Sequence, residues 1–531
     1  MTKITAKSSL IVFCMIILIF SSSCTRRKQI AVSSGDEYAS RAALKIMKQG
    51  GTVVDAFITA NLILTITEPG ASGIGGGFLA VYYDAKKSQF FSIDARETQA
   101  SRHQDFAKLK PELNSENWAD SKAAIGIPGE AAGMDLLHQE FGTMKLEDLI
   151  DPAIEIAEEG FVASDYFVKA HKKFNMPIQA KAGDRIISED YAKTLELLKE
   201  NGLISFYDGE IAEAIGNYSE GWINREDLSL YRAFFRRPLK FSWKNSQNQK
   251  YYFLSVGLPS AGPLIIKQFL RGFNSAEYSK SLTEQVKEYR KAIGPALEWR
   301  HEHAADPDFR KQDCKPDPVF RDRGTSHISL YDSYGNILSA TMTIQRPFGH
   351  QKKLPGYGFY LNNELTDFSS DLLACNSFAD HKIQRLSAKY RTNNEEVAYM
   401  VEDFKRPLSS MSPMIIFGPD SEFLVTGGTG GWTIFSSVLE TSLEIVEKKK
   451  DPQSAIDDVR FYTANNRDIY YDGDLSEAEL KELETNLSSE SVSLKKFPVP
   501  AAVNILHFKD KELNAYKDSR KGGFAIKDTM L

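Results

Sequence analysis

A hairpin signal in the middle of the chain constrains this sequence most. Residues 327–331 alternate in side-chain character, Asp332-Ser333-Tyr334-Gly335-Asn336 supplies turn residues, and residues 337–344 alternate again. Alternation on both sides of a Gly/Asn turn predicts two antiparallel strands. A turn centred on Tyr334-Gly335 pairs Asp332 with Asn336 or Ile337, and counting back sets Thr325 opposite Thr343 or Ile344. Two hydroxyls on neighbouring strands are then within hydrogen-bonding reach, and taken alone this is a Thr–Thr strand pair. Upstream, residues 304–324 crowd together Asp306, Asp308, Pro316, Asp317, Pro318, Arg321 and Arg323 without periodicity, which reads as an exposed linker. A linker abutting a buried hairpin is a place where a chain can be cut without loss of core.

The rest of the chain reads as α/β. Residues 31–60 follow a helical period broken at Gly50-Gly51. Strands are predicted over 78–83 and 89–93, a mostly helical region over 105–242, a strand over 251–256, and helices over 263–273 and 284–301. Ser72-Gly73-Ile74-Gly75-Gly76-Gly77 is no dinucleotide fingerprint, because Phe78 stands where the last glycine belongs and no strand precedes it; tight backbone packing is the plainer reading. His301 and His303 are two apart and face different ways on a helix, so no metal is expected, and nothing in the sequence asks for a cofactor. No Gly-x-Ser-x-Gly elbow stands on a strand-to-helix turn. A net charge of -6 without a Lys/Arg block argues against a nucleic-acid partner.

The amino terminus reads as a targeting segment. Lys3 and Lys7 precede an apolar run over 10–20, shorter than the roughly 20 residues a membrane span needs. Ser21-Ser22-Ser23 followed by Cys24 resembles a bacterial lipoprotein signal, with Cys24 as the lipidated first residue after a signal over 1–23. Ordinary secretion and an uncleaved anchor are the alternatives. The expectation is an exported protein, in the periplasm or at the cell surface, anchored by lipid to a bacterial membrane. Beyond Cys14 and Cys24 only Cys314 and Cys375 remain; an exported pair can form a disulfide, and the spacing equally admits two free thiols.

Gly324-Thr325-Ser326-His327-Ile328-Ser329 after a linker resembles the processing site of gamma-glutamyltransferases (glutathione hydrolases), N-terminal-nucleophile hydrolases that cut themselves before a Thr. Further motifs agree in the family's order: Gly50-Gly51-Thr52-Val53-Val54-Asp55-Ala56, Glu68-Pro69 with the glycine run, Asp94-Ala95-Arg96-Glu97-Thr98, and Leu361-Asn362-Asn363-Glu364 with Asp367-Phe368-Ser369. Arg406-Pro407-Leu408-Ser409-Ser410-Met411-Ser412-Pro413, Gly427-Gly428-Thr429-Gly430-Gly431 and Asp518-Ser519-Arg520-Lys521-Gly522-Gly523 complete the series.

The resemblance implies a four-layer αββα sandwich, a single structural domain built from two chains after self-cleavage: a large subunit, 24–324, and a small catalytic subunit, 325–531. Thr325 would be the nucleophile, with cleavage between Gly324 and Thr325. Thr343 would orient it, and Gly430 and Gly431 would supply oxyanion-hole N–H groups. The substrate would be a gamma-glutamyl amide such as glutathione, with the acyl group passed to water or to an amine. Arg96, Ser409 and Ser410 would hold its α-carboxylate, and Glu364 and Asp367 its α-ammonium. Gln345 stands where the family usually has an Asn that contacts the ammonium. The linker before Thr325 is short for the family, and the stretch from Asp367 to Pro407, where many members carry a lid, is long. A cephalosporin acylase-like amidase of the same fold, and a surface-anchored binding protein that does not cut itself, are the alternative readings.

Overall fold

The predicted hairpin forms the centre of a sheet. In this computed structural model residues 28–178, 180–309, 314–320, 324–378, 404–497 and 501–530 are described, with 388–392 and 395–399 described by backbone alone. In chain order the strands of the two large sheets are β1 (Lys28–Ser34), β2 (Gly77–Asp84), β3 (Gln89–Ala95), β4 (Phe234–Arg236), β5 (Leu239–Lys244), β6 (Lys250–Ser255), β7 (Gly324–Tyr331), β8 (Ile337–Gln345), β9 (Met414–Phe417), β10 (Phe423–Thr429), β11 (Ala502–Lys509), β12 (Glu512–Tyr516) and β13 (Phe524–Met530). One sheet runs β13-β1-β7-β8-β2-β3-β4 and the other β12-β11-β10-β9-β6-β5. Every pairing within them is antiparallel.

The helices that flank the sheets include α1 (Glu37–Lys48), α2 (Val53–Thr67), α3 (Glu130–Phe141), α4 (Leu146–Glu159), α5 (Gly262–Gly272), α6 (Leu282–His303) and α7 (Ile434–Val446). Three apolar layers result. Ile30, Val32, Phe78, Ile328 and Leu330 pack with α1–α4. Phe253, Ile416, Leu424 and Ile505 pack with α5–α7. Ala31, Val81, Tyr83 and Tyr331 meet Leu254, Ile415, Phe423 and Leu506 between the sheets. Helix, sheet, sheet, helix is the four-layer αββα sandwich. Successive strand side chains alternate faces, so Thr325, His327, Ser329 and Tyr331 point between the sheets while Ser326, Ile328 and Leu330 point to the helices.

Two expectations change. Residues 31–34 are in β1, not a helix; Ile30-Ala31-Val32 is a continuous apolar run buried on both faces, which periodicity cannot assign. The helices begin at α1 and, after Gly50 turns the chain at φ +97°, at α2, whose first turn is closed by a Thr52/Asp55 capping box. The described part of the stretch over 304–324 is not simply exposed either. Asp306, Asp308, Phe309 and Asp317 are buried. Arg236 takes Asp308 at 2.6 Å, Asp306 accepts the Arg406 backbone N–H at 2.6 Å, and the Asp317 carbonyl accepts from Arg300. The acidic residues that look solvated in the sequence are the partners of buried arginines.

The glycine run does pack tightly. A Cβ on Gly75 would lie 2.2 Å from the Tyr360 carbonyl oxygen, and one on Gly76 2.0 Å from that of Thr343. Gly76→Ala is therefore expected to destabilise the protein by about 1–3 kcal/mol through overpacking. Gly257→Ala, whose Cβ would meet nothing within 4 Å, is expected to leave the denaturant midpoint nearly unchanged in the same titration.

Candidate active site

The register of the hairpin builds the site. β7 and β8 pair from Tyr331↔Ile337 to Ser326↔Met342, and the register then shifts so that Gly324 faces Gln345. This bulge leaves Thr343 and Ile344 both opposite Thr325, as counting from the turn predicts. Thr343 Oγ1 donates to the Gly324 carbonyl oxygen at 2.6 Å, and the Gln345 backbone N–H donates to Thr343 Oγ1 at 2.9 Å. Gln345 sits at φ +73°, a left-handed conformation costly for a residue with a Cβ. Its side-chain Nε2 donates to Asp367 Oδ1 at 3.1 Å. A continuous hydrogen-bonded path thus leads from the 324–325 peptide to Asp367.

Asp367 belongs to a buried charge cluster. Arg96, just past the end of β3, pairs through Nη2 with Asp367 at 2.8 Å and through Nη1 with Glu364 at 2.5 Å, and Glu97 lies 3.7 Å away. Arg96 also donates from Nε to the Pro407 carbonyl at 3.2 Å and from Nη2 to the Leu408 carbonyl at 3.0 Å. The resemblance assigns Arg96 and the two acids to opposite charges of a substrate; here they pair with one another. Burial pushes the Glu97 carboxyl up to about 8 against the pull of Arg96, so it is mostly protonated near pH 7. Burial also acts on Asp94, but Arg406 and Arg236 outweigh it and hold that carboxylate below its usual range.

The 407–411 loop brings in the serines. Ser409 N–H donates to the Pro259 carbonyl, its carbonyl accepts from Ala261 N–H at 2.8 Å, and its Oγ accepts from Met411 N–H. Ser410 is buried beside it. Gly430 and Gly431 follow β10, with φ of +123° and +69° that favour glycine. Ser329 Oγ donates to the Val425 carbonyl, and the His327 ring fills the space over Gly427. Continued along both strands, that progression brings residues 429–430 toward Thr325. Gly430 and Gly431 share no hydrogen bond with the Arg96 cluster.

Behind the junction, on the helix side, lies a cavity of about 160 Å³ lined by Gly324, Thr325, Glu68, Tyr166, Lys173 and Lys521 among others. Ser326 Oγ donates to Glu68 Oε2 at 2.6 Å. Burial pushes Glu68 up to about 7 and pulls Lys521 down to about 8. Both lie in motifs quoted above, yet neither has a role assigned from the sequence; their opposite charges become a signal only once α2 and the carboxy-terminal turn meet beneath β7. A larger cleft, about 640 Å³, lined by Glu444, Asp472 and Arg520 among others, holds none of the sequence-predicted residues. His327 Nε2 and Ser329 Oγ are 3.0 Å apart, but burial holds the imidazole neutral down to about 3, so this pair fills the space between the sheets and is no general-base dyad. Cys24 lies outside the described residues, as does much of the long stretch from Asp367 to Pro407 where a lid is expected.

Two helix-covered sheets, with a threonine entering the space between them at the start of a central strand, define the N-terminal-nucleophile hydrolase fold. The gamma-glutamyltranspeptidase family model matches residues 39–315 and 310–527, and the chain belongs to that enzyme family. It is 28% identical over 518 residues to the glutathione hydrolase proenzyme of Bacillus subtilis (strain 168), covering 85% of this chain and 84% of the relative. It is 30% identical over 464 residues to the glutathione hydrolase proenzyme of Pseudomonas aeruginosa, covering 77% and 78%. The crystal structure of cephalosporin acylase from Bacillus halodurans shares the fold, with a TM-score of 0.75 at 18% identity over 94% of this chain and 96% of that one.

Glu68 titrates above its unfolded value of 4.5, so the stability it contributes is intact below about pH 4.5 and lost as the pH rises through about 7. Glu68→Gln removes the charge that must otherwise be buried. It is expected to match the wild type in urea unfolding at pH 4 and to exceed it by roughly 1–3 kcal/mol at pH 8.

Proposed function

We propose that this protein is a self-processing gamma-glutamyl hydrolase/transferase, and that Thr325 is its nucleophile. The observation that carries this reading is the 2.6 Å hydrogen bond from Thr343 Oγ1 to the Gly324 carbonyl oxygen. It polarises the one peptide carbonyl that Thr325 Oγ must attack. In self-cleavage a C–O bond forms between Gly324 and Thr325 Oγ, the C–N bond breaks, and the nitrogen takes the hydroxyl proton. Water then hydrolyses the ester, leaving a Gly324 carboxylate and a free Thr325 α-amine. An amide nitrogen is no base, whereas an α-amine with a pKa of about 7.7–8.0 is partly neutral at physiological pH. Cutting therefore creates the base that activates the hydroxyl.

In turnover the amine accepts the Oγ proton as Oγ attacks the γ-carbonyl of a gamma-glutamyl amide such as glutathione. Backbone N–H groups of Gly430 and Gly431 meet the oxyanion. The leaving amine takes the proton, and the ester passes its acyl group to water or to an acceptor amine. The substrate's amino-acid head carries one carboxylate and one ammonium, and it can exchange for the Arg96–Glu364 and Arg96–Asp367 pairs without a change in net charge. Ser409 and Ser410 hydroxyls add donors for the carboxylate. The small chain, 325–531, remains with the large one as a heterodimer. Export with a lipid anchor on Cys24 agrees with the Cys314–Cys375 disulfide, a bond that persists in oxidising compartments.

Expression of the soluble form tests this. A reducing denaturing gel is expected to show a fragment of about 23 kDa, the 207-residue share of 59.6 kDa. Thr325→Ala should abolish it, and Thr343→Ala should slow its appearance by about 10²-fold. An uncut wild-type chain would remove the enzyme mechanism and leave the binding-protein reading.

The acylase-like reading is favoured by one contact: Gln345 already occupies Asp367 Oδ1, an oxygen an ammonium would use. Hydrolysis of gamma-glutamyl and glutaryl anilides separates the two. A gamma-glutamyl enzyme is expected to prefer the former by at least tenfold, and Asp367→Asn to erase the preference. A preference for glutaryl anilide would overturn the lead reading.

A further inference from the structure

Cys314 and Cys375 form a disulfide across 61 positions of sequence. Cys314 precedes the 324–325 peptide and Cys375 follows it. Around this bond the linker is built into the fold. Lys315 N–H donates to the Leu373 carbonyl at 2.9 Å, and Cys375 N–H donates to the Lys315 carbonyl at 3.0 Å, a short parallel bridge between the two segments. The next residue, Asn376, is fully buried. Its Nδ2 donates to the Asp367 carbonyl at 2.7 Å and lies 3.4 Å from Asp317 Oδ2, while its Oδ1 accepts from Leu408 N–H at 3.1 Å. Asp367 and the Leu408 carbonyl are two of the groups that hold the Arg96 guanidinium. One amide therefore joins the two walls of the charge cluster, and its neighbour in sequence is pinned to the linker through sulfur.

We propose that the Cys314–Cys375 bond is the covalent tie between the two fragments of the processed protein, and that Asn376, held in place by it, is a positioning residue for the Arg96–Asp367 cluster that receives the substrate's amino-acid head. The first part rests on the cleavage reading above. The tie does not trap the new end in the site: Gly324 lies ten positions beyond Cys314, a reach of up to about 35 Å when extended. It keeps Asp317 and Asn376 together after that end has left.

Denaturing gels of the purified full-length protein with and without reductant test the tie. The expected result is one species at the mass of the uncut chain without reductant and two bands with it. Two bands in both lanes would overturn the tie while leaving the cleavage reading intact, and one band in both would remove cleavage and the tie with it. Kinetics test the positioning role, with a thiol-free gamma-glutamyl anilide as substrate. Cys314→Ser/Cys375→Ser and Asn376→Ala are each expected to raise KM by about tenfold with kcat within about threefold, since slack of about an ångström in a positioning group can cost up to about 10²-fold. If the double variant fails to fold, the processed wild type treated with a phosphine, which is oxidised as it converts the bond to two thiols, provides the same comparison. An unchanged KM, or a fall in kcat at constant KM, would overturn the positioning role.

Discussion

The hydrogen bond between the Thr343 hydroxyl and the Gly324 carbonyl depends on a bulge, and the rest of the site depends on that bulge. Without the register shift after Met342, Gly324 would face Ile344 and the chain would continue as an ordinary ladder. With it, the Gln345 N–H turns inward to bond Thr343 Oγ1, and its side chain is aimed at Asp367. The positive φ of Gln345 costs of order 1–3 kcal/mol, and the hydrogen bonds at both ends of that residue hold it there. The glycine run packs directly against this stretch: Gly76 lies under the Thr343 carbonyl, so β2 must approach without a side chain.

Arg96 shows how a charge can be kept out of water. A buried guanidinium carries a desolvation cost that pairing alone seldom offsets, and it is tolerated only when its donors are satisfied with good geometry. Here two carboxylates and two carbonyls meet it. The carbonyls belong to the 407–408 segment, so the arginine also fixes the loop that carries Ser409 and Ser410. One step outward, Asp94 is gripped by Arg236 and Arg406, while Asp308 pairs with Arg236 and Asp306 accepts the Arg406 backbone N–H. The charge network therefore reaches from β3 into the segment that precedes Thr325.

Particular residues show what the sequence can disclose and what it withholds. The hairpin is legible because alternation over 327–331 and 337–344 flanks a turn rich in Gly and Asn, and Thr325 opposite Thr343 follows by counting. The two helices on either side of Gly50-Gly51 are legible for the same local reasons. β1 is not, because an apolar run with both faces buried has no period, and its partners are nearly three hundred and five hundred residues away. The burial of Asp306 and Asp317 is hidden because their arginine partners lie on other elements. Most of the site residues can be named only through the order of the family's motifs. Asn376 escapes even that, and Glu68 and Lys521, though inside those motifs, acquire a role only from their tertiary neighbours.

The strand order carries a consequence for the cleavage proposed before Thr325. β1 to β6 precede Thr325 and β7 to β13 follow it, yet β1 is inserted between β13 and β7, and β8 lies against β2. In the second sheet β9 and β6 meet in the same way. The two pieces would be woven into both sheets and would share all three apolar layers. Two fragments so interleaved would come apart only by unfolding, since neither would hold a complete sheet by itself.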